Sequence, residues 1–316
     1  MSSYAFTETA PYEQGFGKVF QSRIVPILED HEQRRKEYRK KAMTWMGSSG
    51  VVGVGGIGGG VNYDSMLGLI AGGFGATGAF IAKAYFEKQW QQGLGGEILP
   101  ILCGFLGGME YGDRRISLSD FVRVGIVPNH NVSTLEDQVT GEHDGLGWSM
   151  IEATLKNRTK TSKGTRTSTV FRGLLFEIQI HGPAPRIFFG KDRGGLLNWS
   201  SELLSGSRRG LEKIDVGDAE FRSIYETYTS DPHAARAYID DRLTSGLMEV
   251  ARSEAGKSFI ACAMEGDSLY LALPRRGDFL GLGSLFKPLT SVERDLHEAL
   301  ADLTMPGRVI DHLRGM

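Results

Sequence analysis

From Ala42 to Tyr63 the chain carries no charged residue, and after a lone Asp64 a second uncharged run extends from Ser65 to Ala82. Two helices of about 20 residues would each be long enough to cross a hydrocarbon core. The flanks agree with that reading. Arg34, Arg35, Lys36, Arg39, Lys40 and Lys41 precede the block, Lys83 and Lys88 follow it, and the turn Asn62-Tyr63-Asp64-Ser65 has no positive charge. Since lysine and arginine stay on the cytoplasmic side, the pattern predicts a multi-pass inner-membrane hairpin over residues 42–84, with both termini cytoplasmic.

The first run is crowded with glycine, which lowers its hydrophobicity and in water costs about 1 kcal/mol per residue relative to alanine in a helix. In lipid the same residues have a use. Gly55/Gly59 and Gly56/Gly60, with Gly68, Gly72 and Ala76 in the second run, place a small residue at every fourth position. Such stripes let helix backbones approach closely, so these seven residues are the candidate helix-packing positions of a self-associating hairpin, which makes a homo-oligomer the expectation. Two rival readings compete. Gly53-Val54-Gly55-Gly56-Ile57-Gly58 formally matches a dinucleotide fingerprint, but about 20 positions on the chain reads GGFGATGAF and offers no acid for the ribose. The other rival is a glycine-rich segment buried in a water-soluble core.

At 316 residues there is room for this module and one further domain. The formal charge of −2 provides no basic field, so nucleic acid is not an expected partner. Cys103 and Cys262 have no metal-ligand spacing, which argues against both a disulfide framework and a zinc site. The N-terminal residues lack a basic n-region and apolar h-region, so no cleaved signal peptide is expected.

Residues 1–41 read as an amphipathic, then charged, helix. Phe16, Val19, Phe20, Ile24, Ile27 and Leu28 form its apolar stripe, and Pro26 is a candidate kink. Residues 85–112 read as an interfacial connector, in which Tyr85, Phe86 and Trp90 are membrane-surface anchors. Over residues 113–290 the pattern becomes short apolar runs broken by turn residues, read as a cytoplasmic α+β domain. Strands are predicted at 147–159, 167–181, 185–192, 257–265 and 268–275, with Gly182-Pro183 and Gly266-Asp267 as turns. A helix is predicted over 233–254, capped by Asp231 with Pro232 at its first position, and residues 291–316 read as a C-terminal amphipathic helix. The fold class expected is therefore α+β, with an N-terminal helix, a Gly-rich transmembrane hairpin and an antiparallel-sheet domain with helices.

No catalytic, cofactor-binding or metal residue is assigned, and no cofactor is expected. The seven histidines are dispersed without a close ligand pair. Glu142-His143-Asp144 is the one dense acid/base cluster, read as a solvated turn ahead of a catalytic dyad. Arg172 and Arg236 each sit in an otherwise apolar element, where a guanidinium usually pairs with a carboxylate; both are candidate structural or partner-binding residues. Lys156, Arg158, Lys160, Lys163 and Arg166 form a basic tip, a candidate contact for anions or lipid headgroups.

Thr169-Val170-Phe171-Arg172-Gly173-Leu174-Leu175, Tyr228-Thr229-Ser230-Asp231-Pro232 followed by Ala235-Arg236-Ala237-Tyr238, and Gly266-Asp267-Ser268-Leu269-Tyr270-Leu271-Ala272-Leu273-Pro274 carry a resemblance. In these motifs the chain resembles a bacterial two-span membrane family of unknown function, domain of unknown function 3137, associated with LemA membrane proteins. The resemblance implies a two-span anchor, a cytoplasmic domain without assigned catalytic residues, and membrane lipids and a LemA-like membrane protein as partners. The glycine-rich spans depart from that family's bulkier ones. The function expected is a non-enzymatic, membrane-anchored scaffold or adaptor. The alternatives are a membrane-proximal enzyme using Glu142, His143 and Arg172, and an anionic-lipid-sensing module using the basic tip.

Overall fold

The computed structural model describes residues 4–60, 65–112, 116–162, 164–191, 210–257 and 260–314, and for 45–60 and 65–82 it describes the backbone. The chain divides into two compact units. The first comprises residues 1–106 and 280–302, and the second residues 107–279 and 303–316.

The first unit is helical. A short helix α1 (Phe16–Val19) runs through one π-helical turn, Phe20–Ile24, into α2 (Val25–Gly60), and α3 (Ser65–Leu106) follows. The irregularity expected at Pro26 takes the form of that wide turn. Proline offers no N–H to the carbonyl four residues back, and widening the preceding turn relieves the clash there. Phe16, Phe20, Ile24 and Leu28 of the predicted stripe are fully buried. Trp90 is also core, packed edge-on against His31 at 6.5 Å, whereas Tyr85 is exposed. His31 Nε2 lies 3.0 Å from Glu97 Oε1, which ties the start of α2 to the end of α3. The basic cluster is partly structural: buried Arg35 donates to Glu32 and to the Leu285 carbonyl, and Arg34 pairs with Asp30.

Among the described residues no helix is long and apolar enough to cross a membrane. This overturns the transmembrane hairpin over residues 42–84, and with it the multi-pass inner-membrane placement. The physical reason lies in composition. Eight glycines fall between Gly47 and Gly60 of α2, and a glycine has no side chain to bury in lipid, so an uncharged run rich in glycine is long without being strongly apolar. The side chains around Gly55, Gly56, Gly59, Gly60, Gly68, Gly72 and Ala76 lie outside the described residues, as does the turn at 62–64.

The second unit is an antiparallel sheet with helices. Its strands are β1 (Met109–Tyr111), β2 (Val132–His143), β3 (Leu146–Thr161), β4 (Gly164–Lys191), β5 (Glu212–Ile214), β6 (Tyr225–Thr229) and β7 (Ala261–Pro274). Along one path the order is β1-β2-β3-β4-β6-β5, with β7 on the other edge of β4. Residues 164–178 of β4 pair with β3, and residues 187–191 pair with β6, so β3 and β6 share the same edge of β4 in succession.

Two predicted turns are bulges inside continuous strands. Gly182 and Gly266 both have positive φ, 79° and 61°, and the registers of β4 and β7 shift between Gln179 and Ala184, where Ala184 faces Gly266. From Gln179 to Ala184 β4 advances five residues while β7 advances two, from Ser268 to Gly266, so the extra residues lie on β4, and a glycine in the left-handed region accommodates the irregularity on each strand without steric cost. Strands expected at 167–181 and 185–192 are therefore one, as are those at 257–265 and 268–275. Strand β2 was not anticipated. Asp144-Gly145, with φ of 49° and 75°, joins it to β3 by the two-residue turn that Asp-Gly favours.

Helix α4 (Leu118–Val124) and the following Ile126 and Val127 cover one end of a sheet face. There Phe121, Val124, Ile151, Leu155, Phe171, Leu175, Tyr270 and Ala272 form a buried cluster. Helices α5 (Ala219–Ile224) and α6 (Pro232–Ala235) begin at Asp218 and Asp231, whose carboxylates accept from the Phe221 and the His233 and Ala234 backbone N–H groups. The predicted helix over 233–254 is thus a single turn, α6, followed by α7 (Asp241–Ser253), capped in turn by Asp240. The last helix, α8 (Val292–Arg314), gives residues 303–314 to this unit. A Cβ on Gly246 would meet the His312 carbonyl oxygen at 2.2 Å, so α7 and α8 approach backbone to backbone.

Gly246→Ala should therefore lower stability by about 1–3 kcal/mol in urea unfolding through overpacking, even though alanine is the better helix former. A gain in stability would show that the helices do not need this close approach.

Candidate functional site

The sheet face that is apolar beneath α4 changes character along its strands. Ile151 and Leu175 pair with each other, and two residues along lie Ser149 and Glu177, which also pair. Because side chains two apart share a face, this is the same surface. It continues as two rows across the sheet, Glu110-Thr140-Ser149-Glu177 and Glu142-Gly147-Gln179-Ser268. These rows floor a groove of about 1000 Å³. Four carboxylates line it, from Glu110, Glu142, Glu177 and Asp267, and among the described residues no lysine, arginine or histidine does. The end of the Gln179 side chain packs directly over Gly147. Ser268 Oγ donates to Glu177 Oε1 at 2.9 Å, which sets that carboxylate across the β4–β7 pair.

The end of the β2–β3 hairpin beside the groove is clamped to α8. His143 Nε2 lies 2.7 Å from Asp311 Oδ1, and Arg314 Nη1 donates to the Asp144 carbonyl and carboxylate. The acid/base cluster predicted at Glu142-His143-Asp144 is therefore split. Glu142 faces the groove, while its two neighbours hold the hairpin to the helix.

On the opposite sheet face, buried Glu152 pairs in register with Leu174 and Glu136. Its Oε2 accepts from the Phe279 N–H at 3.0 Å, and its Oε1 lies 3.7 Å from Arg172 Nη2, which also donates to the Gly277 carbonyl at 2.6 Å. Arg172, a predicted structural or partner-binding residue, has Glu152 as its carboxylate neighbour. Oxygens of Asp137, Glu152 and Asp278 all lie within 4.8 Å of one another, a spacing that oxygen ligands of one divalent cation can adopt. Arg172 already neutralises part of that charge, and the Tyr111 hydroxyl donates to Asp137 at 2.7 Å. Burial pushes the Glu152 carboxyl up to about 7; repulsion from Asp278 and Asp137 adds to this, and the Phe279 N–H and Arg172 oppose it.

The remaining predicted residues do not converge on one place. Lys156, Arg158 and Lys160 alternate along one face of β3, whereas Arg166 pairs with Thr159 on the other face, and Lys163 lies outside the described residues. Arg236 is exposed at the end of α6. Arg172 pairs with Thr154 and His143 with Leu146. Eight residues of β3 separate those levels, about 26 Å. Neither the acidic groove nor the Glu152 cluster was anticipated. The usable signal for the groove was Phe176-Glu177-Ile178-Gln179-Ile180, in which one face of an otherwise apolar strand turns polar.

Residues 169–314 match the model of a family described as "Protein of unknown function (DUF3137)", so this part of the chain carries a domain of unknown function. No curated protein matches the chain. Among solved structures, the crystal structure of the mycobacterial trehalose monomycolate transport factor A, TtfA, is similar at 11% identity over 58% of this chain and 76% of that one, with a TM-score of 0.26. A likeness of that strength carries no functional argument.

Because the folded chain holds the Glu152 proton up to about pH 7 and an ordinary glutamate releases it near 4.5, the associated stability is fully present below about 4.5 and is lost as pH rises through about 7. Glu152→Gln keeps an acceptor for the Phe279 N–H and has no charge to bury. It should be more stable than the parent at pH 8, by at most on the order of 3 kcal/mol, and flatten the fall between pH 5 and 8 in urea unfolding. An unchanged pH profile would show that Glu152 titrates normally.

Proposed function

We propose that this chain is a non-enzymatic adaptor whose second unit takes a lysine- and arginine-rich segment of a partner protein in the acidic groove. The observation that carries the reading is the groove itself: four carboxylates over a floor of hydroxyls, amide and glycine, with no basic side chain among its described lining residues. Like charges concentrated in one concave surface attract an opposite charge and reject a matching one, which supplies specificity and encounter rate more than raw affinity. The groove also lies at the β1 end of the sheet, where an extended segment finds backbone as well as side-chain partners. A LemA-like protein, the partner that the sequence resemblance implies, is the first to test. An enzyme built on Glu142, His143 and Arg172 has less support, because about 26 Å of strand separates Arg172 from the other two.

A fluorescent octalysine peptide should bind the full chain with an affinity that falls steeply as salt is raised. The double variant Glu142→Lys/Asp267→Lys should bind it about tenfold more weakly, a loss of about 1.4 kcal/mol, whereas Asp241→Lys/Glu249→Lys, on α7 and outside the groove lining, should not. Equal weakening by both pairs would reduce the effect to net charge and remove the groove as the site.

A further inference from the structure

A second hollow, of about 350 Å³, opens on the sheet face opposite the acidic groove. Ile178 and Leu269, which pair in register, form its floor, and Leu243 of α7 with Ile310 and Leu313 of α8 form its walls. A volume of about 300–1,000 Å³ lined by apolar side chains together with a few polar groups is typical of small-molecule sites. The polar lining is His181, Tyr238, Asp240, Arg242 and Arg314; with Asp144 bound to Arg314 the two guanidiniums are matched by two carboxylates, and Arg242 is the guanidinium open to a further anion. The Asp240 carboxylate already accepts from the Leu243 N–H at 2.8 Å as the cap of α7. Arg314 is engaged by Asp144 through Nη1.

From this charge arrangement we infer that the hollow is a binding site for a short-chain fatty carboxylate, with its hydrocarbon between the sheet and the two helices and its carboxylate at Arg242. The apolar side chains between sheet and helices hold the hydrocarbon and a planar guanidinium recognises a carboxylate in a forked pair, so neither half alone specifies the ligand. The site is independent of the acidic groove, which lies on the other sheet face and selects the opposite charge.

Octanoate titrated calorimetrically into the full chain should show saturable one-to-one binding. Hexanoate should bind about tenfold more weakly for its two missing methylenes, and octyltrimethylammonium, which has the same chain and the opposite head, at least tenfold more weakly. Arg242→Glu, an exposed change, should cost at least tenfold, and Ala237→Trp, which fills the hollow, should abolish binding. Circular dichroism will show whether Ala237→Trp folds; if it does not, Arg242→Glu decides the matter. The groove variant Glu142→Lys/Asp267→Lys should bind octanoate as the parent does, so that failure at one site is distinguishable from failure at the other. Equal binding of the anionic and cationic amphiphiles, no saturation, or an unaffected Arg242→Glu would overturn the assignment.

Discussion

A 28-residue strand with both edges paired is the constraint on which the second unit depends. Kept straight it would extend about 90 Å, far beyond the size of a domain this large. Bending β4 alone would break its pairing with β7. The bend is possible because β4 carries its extra residues around Gly182, opposite Gly266 of β7, so the ladder shifts register at two successive steps, Gln179/Ala184 and Ala184/Ile187, and then resumes. Beyond that point β6 takes over the edge that β3 occupied, and the sheet covers two surfaces with one central strand.

Both sites follow from the two faces of this sheet. On one, α4 covers the apolar end and leaves a polar end, where Ser149, Glu177 and Gln179 continue the positions held elsewhere by Ile151 and Leu175. On the other, α7 and α8 cover the sheet, and their approach at Gly246 sets where the helical cover begins to open towards Leu243 and Leu313. The difference in charge between the two surfaces is a consequence of strand alternation: Glu177 and Ile178 are neighbours in sequence and face opposite ways.

Glu152 illustrates how such a sheet stores an unfavourable group. A carboxylate among buried apolar side chains is expensive to ionise, and here it has one backbone N–H, one guanidinium at 3.7 Å and two acidic neighbours. Ion pairing alone does not hold it down, so its proton affinity rises. The same geometry brings Arg172 across to Gly277 and ties β3 and β4 to the chain after β7.

Much of the local structure was legible in the amino-acid sequence. Alternation identified the β3–β4 hairpin, the stripe from Phe16 to Leu28 identified a buried helix face, and Asp231-Pro232 marked a helix start, because period and capping chemistry are properties of neighbouring residues. The uncharged, glycine-rich block misled for the opposite reason. Freedom from charge signals affinity for lipid only where the uncharged residues carry apolar side chains, and glycine carries none. Gly182-Pro183 and Gly266-Asp267 were legible as departures from regular strand, but whether such a glycine turns the chain or only bends it depends on what the strand pairs with on either side. The same is true of the sites. The acidic groove assembles residues from β1, β2, β3, β4 and β7, and Glu152 meets Asp137 of the neighbouring strand and, across more than a hundred positions of chain, Asp278. Tertiary pairing alone decided those meetings, since register, bulge and helix cover determine which polar residues share a surface.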